Sequence, residues 1–129
     1  MLLSTENIRI RENIMREVDS RVLYSTKMIK SASEKFHQRE SQALQLIKDS
    51  GLEFLEVGVF GSYARCEYTG RSDIDVIMIL EDIIRNDITI ALRSALDDIK
   101  VQLVYETTDV FEDKGFFARQ IQRDYIRRL

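Results

Sequence analysis

The sequence predicts an α/β (α+β) protein in which a small mixed sheet is backed by helices. Three observations predict this class: the first fifty residues show helical periodicity, short β-branched runs follow from Gly51, and a helical stretch separates two of those runs. The 129 residues suffice for one ordinary domain. We expect residues 1–50 to form an N-terminal helical extension and residues 51–129 the main domain, together making one compact unit.

Two helices are predicted in the first fifty residues. Ser4 or Thr5 is suited to cap the first helix, which carries an apolar stripe at near-helical spacing. The members of this stripe are Ile10, Ile14, Val18, Val22 and Ile29. So long a stripe must be covered, and we expect it to pack on the sheet, on a second copy of the chain or on a partner. The second helix is predicted to begin at Ser33 and to end before Gly51. Its apolar face comprises Phe36, Ala43, Leu44 and Ile47.

Strands and helices are predicted to alternate after Gly51. Residues 52–60, rich in Val, Phe and Leu, indicate a strand that runs into a turn and a short helix over 63–67. Residues 73–80 form an apolar run typical of a buried strand. The remaining predicted elements are a helix over 83–99, a strand over 100–105 and a helix over 116–129.

The composition excludes several classes of protein. Hydrophobic residues make up 44% and charged residues 32% of the chain, and proline is absent, which does not fit a collagen-like, low-complexity or disordered chain. The longest aliphatic run, residues 76–80, is far shorter than the ~20 residues of a membrane span. The first residues lack the pattern of a secretory signal, and the single cysteine, Cys66, allows no internal disulfide. We therefore expect a soluble, cytoplasmic protein without a membrane partner.

The charge is distributed unevenly along the chain. Residues 51–115 carry fourteen acidic against six basic residues, whereas residues 1–50 and 116–129 carry a basic excess. An acidic surface repels the phosphates of nucleic acids, so no nucleic-acid partner is expected. The same acidity suits a cation site or belongs to a solvated surface, and the second interpretation applies to most of these carboxylates.

Two carboxylates mark the start of the buried strand. Asp73 and Asp75 are two residues apart, so in a strand both side chains lie on one face, about 7 Å apart along the backbone. Like charges beside an apolar run resist ionisation, and a divalent cation between them removes the repulsion. Mg²⁺ is usually held by one or two carboxylates together with substrate phosphates. The pair is therefore a candidate metal site, although an isolated Asp-x-Asp is a weak signal and more often belongs to a solvated surface.

The dipeptide Gly61-Ser62 makes the pattern more specific. It follows one predicted strand and opens a helix, where free backbone N–H groups attract an anion such as phosphate. Glycine lets the backbone approach the phosphate, and the serine hydroxyl can donate to a phosphate oxygen. Alone, the dipeptide is compatible with an ordinary strand-to-helix turn. Together with the carboxylate pair on a neighbouring strand, it suits a nucleoside triphosphate bound on Mg²⁺ for in-line nucleotidyl transfer.

The two motifs and their spacing of ten residues resemble the signature of the DNA polymerase β-like nucleotidyltransferase superfamily. The local sequences over 60–65 and 72–76 are most similar to its minimal nucleotidyltransferases. Many of these are antitoxins paired with a HEPN-domain ribonuclease toxin, and some transfer AMP to a tyrosine of that toxin. The resemblance covers roughly residues 52–129.

The resemblance implies a nucleotidyltransferase fold and a metal-dependent enzyme. In that case, Gly61 and Ser62 hold the triphosphate of ATP, and Asp73 and Asp75 are catalytic and bind Mg²⁺ or Mn²⁺. The implied reaction moves AMP from ATP to an acceptor, foremost a side chain of a cognate HEPN-type toxin. The chain would then be the antitoxin of a toxin–antitoxin system.

Two arginines extend the candidate nucleotide site. Arg65 and Arg71 are placed to approach the phosphates. For Arg65, a surface salt bridge, for example with Glu67, is an equal alternative.

Two positions depart from the family pattern. Cys66 stands where the family often has glycine, and a reactive thiol is not expected because only Arg65 supplies a basic neighbour in the sequence. Gln102 stands at the position of the family's third carboxylate, and an amide cannot serve as a base. Glu106 shares its side-chain parity but lies about 13 Å further along the strand.

These departures leave two functions open. The first is an adenylyltransferase acting on a partner protein, favoured by the two intact aspartates. The second is a weak or inactive module of the same fold that neutralises a partner by docking, favoured by Gln102. Transfer to an antibiotic is a weaker hypothesis because such enzymes generally gain their acceptor pocket from extra domains or dimerisation. Polymerase or tRNA-end-adding activity is weaker still because no basic nucleic-acid domain is present.

Overall fold

The computed structural model describes residues 20–129 of the chain, with side chains described from residue 33 onward. The predicted cap at Ser4 or Thr5 and the side chains of the apolar stripe lie outside the described residues. The elements in chain order are α1 (Ser20–Asp49), β1 (Glu56–Phe60), α2 (Gly61–Ala64), β2 (Ile74–Ile79), α3 (Asp87–Asp97), β3 (Val101–Glu106), a 3₁₀ turn (Thr108–Phe111), α4 (Phe116–Asp124) and β4 (Ile126–Arg127). No helix in this part of the chain has both the length and the apolar content needed to cross a bilayer.

The four strands form one mixed sheet in the order β3-β2-β1-β4. Strand β1 is antiparallel to both β2 and β4, whereas β2 and β3 are parallel and are connected through α3. A parallel pair needs such a crossover, which is why a helix separates these two strands in the sequence. The predicted α+β class is confirmed.

Helix α1 differs from its prediction at one end and agrees at the other. It runs unbroken through Ser33, so the predicted start of a second helix there is wrong. The physical reason is that neither glycine nor proline lies near Ser33, and serine alone does not end a helix. The predicted end is confirmed: Gly51 has a φ of +77°, the left-handed conformation that commonly follows the last helical turn.

The sheet buries both of its faces. Alternate side chains of a strand point to opposite faces, so β2 contributes to two clusters. The first face packs against α3 and the part of α1 from Phe36 onward; its fully buried members include Ala43, Ile47, Val57, Val59, Ile74, Val76, Met78, Leu96 and Val101. The second face is covered by α4 and the 3₁₀ turn; its cluster is Phe60, Ile77, Ile79, Val110, Ala118 and Ile121. The predicted apolar face of the region before Gly51 belongs to the first cluster.

Helix α3 is shorter than predicted. A capping box starts it: the Asn86 side chain accepts the Thr89 backbone N–H at 2.9 Å, and the Asn86 backbone N–H donates to the Thr89 hydroxyl at 3.0 Å. A reciprocal cap of this kind satisfies two N–H groups that have no partner inside the helix, which fixes the start at Asp87 rather than near residue 83.

The end of the chain also differs from its prediction. The helix predicted over 116–129 ends at Asp124, and Ile126–Arg127 pair with β1 as an edge strand. Gly58 permits this pairing, because a Cβ there would lie 2.3 Å from Tyr125 Cε2 and 2.6 Å from the Ile126 carbonyl oxygen. Periodicity alone could not reveal a two-residue strand of this kind.

Candidate active site

The turn at Gly61 lies directly against the carboxylate of Asp75. Strand β1 ends at Phe60, and the short helix α2 begins at Gly61, whose φ is +73°. A Cβ at this glycine would lie 2.3 Å from Asp75 Oδ2. The left-handed backbone therefore favours glycine, and the absence of a Cβ leaves room for the close carboxylate. Ser62, the next residue of α2, is half-buried.

The two aspartates meet at the start of β2. Asp75 lies in the strand and is half-buried, whereas Asp73 is exposed and lies one residue before the strand begins. Burial, followed by the negative charge of Asp73, raises the pKa of Asp75, and the positive charge of Arg65 lowers it. A cation bound at Asp75 would offset both of the effects that raise its pKa.

The donor set fits a hard divalent cation with open coordination positions. Carboxylate oxygens are ligands that Mg²⁺ accepts, and the ion commonly keeps water and substrate phosphates as its other ligands. Within the described part of the chain, no group of three or more His, Cys, Asp or Glu side chains could hold a metal. Asp73 and Asp75 would therefore hold the ion only together with water or phosphate oxygens.

Gln102 is the direct neighbour of Asp75 in the sheet. The parallel register pairs Asp75 with Gln102, and the antiparallel register pairs Asp75 with Phe60. These three residues therefore form one row across β1, β2 and β3, which we call the site row. Gln102 is exposed. Glu106 pairs with Ile79, about 13 Å further along the strands, so it lies far from Asp75.

Arg65 is tied to two carboxylates. Its Nε donates to Glu67 Oε2 at 3.0 Å, the salt bridge that the sequence offered as an alternative. Its Nη1 donates to Asp124 Oδ2 at 2.6 Å. These bonds hold Arg65 at the end of α2, and a phosphate contact of this side chain stays a prediction.

Asp124 is a partner that the sequence interpretation missed. Only 2% of its side chain is exposed, and its other oxygen accepts a hydrogen bond from Arg123 Nε at 2.8 Å. The hydrogen bond from Arg123 is the largest of the effects that lower the pKa of Asp124. The sequence held one indication that Asp124 pairs with arginine, since it is the sole acidic residue among residues 116–129.

Arg71 lies apart from these interactions. It is exposed in the loop between α2 and β2, where Ser72 Oγ accepts the Thr69 backbone N–H at 2.8 Å. Within residues 33–129, no ion pair involves Arg71. Its predicted role in nucleotide binding stays a prediction.

The family model for polymerase β nucleotidyltransferases matches residues 45–126. The match includes strands β1, β2 and β3 and every residue of the site described above. The chain belongs to the polymerase β nucleotidyltransferase family. This confirms the resemblance drawn from Gly61-Ser62 and the two aspartates.

Two of the solved structures that this chain resembles, the first two described here, share its fold. A toxin–antitoxin crystallised with AMP-PNP is 18% identical, with a TM-score of 0.52 over 68% of this chain and 70% of that chain. A Sulfolobus solfataricus protein assigned as a nucleotidyltransferase is 20% identical, with a TM-score of 0.50 over 75% of this chain and 85% of that chain. A tri-AMPylated Shewanella oneidensis HEPN toxin in complex with its MNT antitoxin gives 16% identity and a TM-score of 0.48 over 70% of this chain and 69% of that chain. No curated protein sequence matches significantly.

Cys66, at the position where the family resemblance implies glycine, has a left-handed backbone. Its φ is +59°, in the left-handed region that glycine adopts without strain. The cysteine is exposed and follows directly on Arg65. A cysteine thus occupies a backbone conformation that a residue with a Cβ tolerates less well than glycine does.

A partly buried hydrogen-bond network holds α2 in place. Tyr63 donates its hydroxyl to Glu40 Oε2, and Arg128 Nε donates to Glu40 Oε1, each at 2.5 Å. Burial and then the hydrogen bond to Glu40 raise the pKa of Tyr63. Because Glu40 lies in α1 and Arg128 near the chain's end, the network joins three segments behind the Gly61 turn. Sequence spacing contains no signal for it.

Proposed function

We propose that this protein is a Mg²⁺- or Mn²⁺-dependent nucleotidyltransferase that moves AMP from ATP to a side chain of a HEPN-type toxin. The observation that carries the proposal is the contact between the Gly61 turn and the carboxylate of Asp75. Through this contact, a backbone that would bind phosphate and a carboxylate that would bind a cation come within the reach of one triphosphate. Membership of the nucleotidyltransferase family supports the same chemistry.

Each group at the site has a task that its chemistry allows. The Ser62 hydroxyl and the backbone N–H groups at the start of α2 would donate hydrogen bonds to phosphate oxygens. Asp73 and Asp75 would hold the cation. When bound, the cation offsets the negative charge of the phosphates and lowers the pKa of a hydroxyl next to it.

Every bond and proton of the proposed transfer is accounted for without a carboxylate at position 102. The acceptor hydroxyl oxygen bonds to the α-phosphorus of ATP, and the bond from that phosphorus to pyrophosphate breaks. The hydroxyl proton passes to water because an amide at Gln102 cannot accept it. A positioned base typically contributes ~10²–10⁴-fold, so we expect a slow transfer. A docked partner tolerates a slow step because the complex holds the reactants together.

The resemblance to minimal nucleotidyltransferases supports a toxin as the partner. The similar fold in a toxin–antitoxin structure with AMP-PNP supports the same partner and the same nucleotide class. Adduct formation tests the reaction directly. Incubation of a HEPN-type toxin with this protein, ATP and Mg²⁺ is expected to add the mass of AMP to the toxin by mass spectrometry.

Matched variants make that experiment decisive. The Asp73→Ala/Asp75→Ala double variant is expected to form no adduct. Asp97→Ala, which removes an exposed carboxylate from the end of α3, is expected to form as much adduct as the wild-type chain. An adduct of equal yield with the double variant would contradict the proposed site.

The second candidate function is neutralisation of the partner by docking alone, and Gln102 is the observation that favours it. Gln102→Asp is expected to accelerate AMP transfer if the protein is an enzyme, because a carboxylate then lies beside Asp75. Gln102→Asn matches that variant in size without the charge and is expected to give no acceleration. If the Asp73→Ala/Asp75→Ala variant neutralises the toxin fully and no adduct forms with any variant, docking is the function.

A further inference from the structure

An exposed aromatic ring borders the site row. Phe117, at the second position of α4, contacts Phe60 edge to face, with ring centroids 5.9 Å apart and planes at 84°. Phe60 is both the residue before Gly61 and the register partner of Asp75. Phe60 is only 6% exposed, whereas Phe117 is 45% exposed. The outer part of this aromatic pair therefore lies open to solvent beside the phosphate-binding turn.

Helix α4 covers only part of the sheet face that carries the site row. Its Ala118 and Ile121 pack with Ile77 and Ile79 of β2. The next residue of β2 on that face is Asp75, which is half-buried, and its neighbour Gln102 is exposed. Phe117 thus lies where the covered apolar part of the face gives way to the polar site row.

We propose that Phe117 stacks on the base of the bound nucleotide and that the edge-to-face contact with Phe60 holds the Phe117 ring in position. This inference rests on the proposed function and specifies the orientation of the nucleotide. The phosphates lie at Gly61 and Ser62, and the base lies on Phe117. A triphosphate held at the turn carries its base one ribose away, and the base presents a flat apolar face. Stacking removes that face and the exposed half of the Phe117 ring from water together.

The inference predicts that Phe117 contributes to nucleotide affinity through the base and not through the phosphates. Base–aromatic stacking lost on substitution by alanine corresponds to about tenfold in affinity. Phe117→Ala is therefore expected to weaken Mg²⁺–ATP binding about tenfold while leaving the binding of Mg²⁺–tripolyphosphate unchanged. Titration calorimetry of the full chain with each ligand measures both values.

Two further variants separate stacking from folding. Phe116→Ala removes a neighbouring ring that is 81% exposed and is expected to leave both affinities unchanged. Phe117→Leu keeps an apolar side chain against Phe60 but has no flat ring, and it is expected to weaken ATP binding as Phe117→Ala does. Unchanged far-UV circular dichroism and melting temperature of Phe117→Leu would show that the fold is intact.

The outcomes distinguish the inference from the proposal on which it rests. If Phe117→Ala weakens both ligands equally or neither, or if Phe117→Leu binds ATP as tightly as the wild type, the stacking role is overturned and the nucleotidyltransferase proposal stands. If the wild-type chain binds neither ligand in the presence of Mg²⁺, the proposed function fails and the stacking role fails with it.

Discussion

At the scale of single residues, Gly61 and Asp75 depend on each other. The glycine supplies a left-handed backbone, and the absence of its Cβ leaves room for the Asp75 carboxylate. The clash that a Cβ would cause falls on the end of a short side chain, which can rotate away. A substitution there should therefore disturb the site more than the fold.

Gly61→Ala is expected to lower the free energy of unfolding by about 1–2 kcal/mol, the cost of a left-handed alanine, and to abolish Mg²⁺-dependent ATP binding because Asp75 is displaced. Gly51→Ala is the matched control, since Gly51 also has a positive φ but nothing within 4 Å of a Cβ. It should show a similar loss of stability in urea with ATP binding retained. Full ATP binding by Gly61→Ala would show that the contact with Asp75 has no role in the site.

The carboxyls of Asp75 and Asp124 should change the pH dependence of the free energy of unfolding in opposite directions. Folding raises the pKa of Asp75, foremost by burial, so ionised Asp75 costs stability above its unfolded pKa and costs nothing below it. Asp75→Asn is therefore expected to stabilise the metal-free chain at pH 7, with a benefit that shrinks as the pH falls toward about 3.9.

Folding lowers the pKa of Asp124, foremost through the hydrogen bond from Arg123. The stability this carboxyl contributes is complete above its unfolded pKa and is lost as the pH falls through the folded one. Asp124→Asn should thus destabilise the chain about equally at pH 7 and pH 5, and its effect should shrink as the pH falls below about 3.9. Urea unfolding in EDTA at pH 7, 5, 4 and 3 measures both trends, and a destabilising Asp75→Asn at pH 7 would refute the first.

At the scale of elements, the edge strand β4 depends on one glycine in β1. Tyr125 passes over Gly58, and its hydroxyl donates to Glu56 Oε1 at 2.8 Å. The Arg128 backbone N–H then donates to the Val57 carbonyl at 2.8 Å. The end of the chain is therefore held to the sheet by backbone bonds that require close approach at Gly58.

Gly58→Ala is expected to detach β4, because the added Cβ meets the Ile126 carbonyl oxygen, which cannot rotate away as a side chain can. Overpacking of this kind costs about 1–3 kcal/mol in the free energy of unfolding. Hydrogen exchange should show lost protection of the Arg128 amide. Gly70→Ala, with nothing within 4 Å of its Cβ, should change stability by less than about 0.5 kcal/mol. Unchanged protection of Arg128 in Gly58→Ala would contradict this account.

At the scale of the whole molecule, residues Phe36–Leu129 form one of the two compact units into which the chain divides. This unit contains the complete sheet, the site row and the Glu40 network. The apolar stripe predicted for the first helix lies before it in the sequence. The residues of the site therefore all belong to this unit, and those of the predicted stripe all precede it.

Deletion of residues 1–30 is expected to preserve the circular dichroism of the sheet and to cause aggregation or a change of oligomeric state, because the surface that covers the stripe becomes exposed. Light scattering coupled to size exclusion measures the mass of the particle. A truncated chain with the same number of subunits per particle and the same stability as the full chain would contradict this expectation.

The sequence by itself determined the features that depend on neighbouring residues. Strand runs, the capping turn before Gly51, and the spacing of Gly61-Ser62 and Asp73-x-Asp75 predicted the fold class, the family and the carboxylate pair. Local backbone preference and the family's motif spacing depend on residues that are close together in the sequence, so they could be inferred without coordinates.

Only the tertiary structure decided which distant residues meet. Arg65 binds Asp124, 59 residues away, and Tyr63 binds Glu40 across 23 residues. The edge strand β4 and the contact of Phe117 with Phe60 likewise follow from how α4 crosses the sheet. Such partners depend on the packing of whole elements rather than on local preference, because a residue's sequence neighbours do not specify which distant surface will cover it.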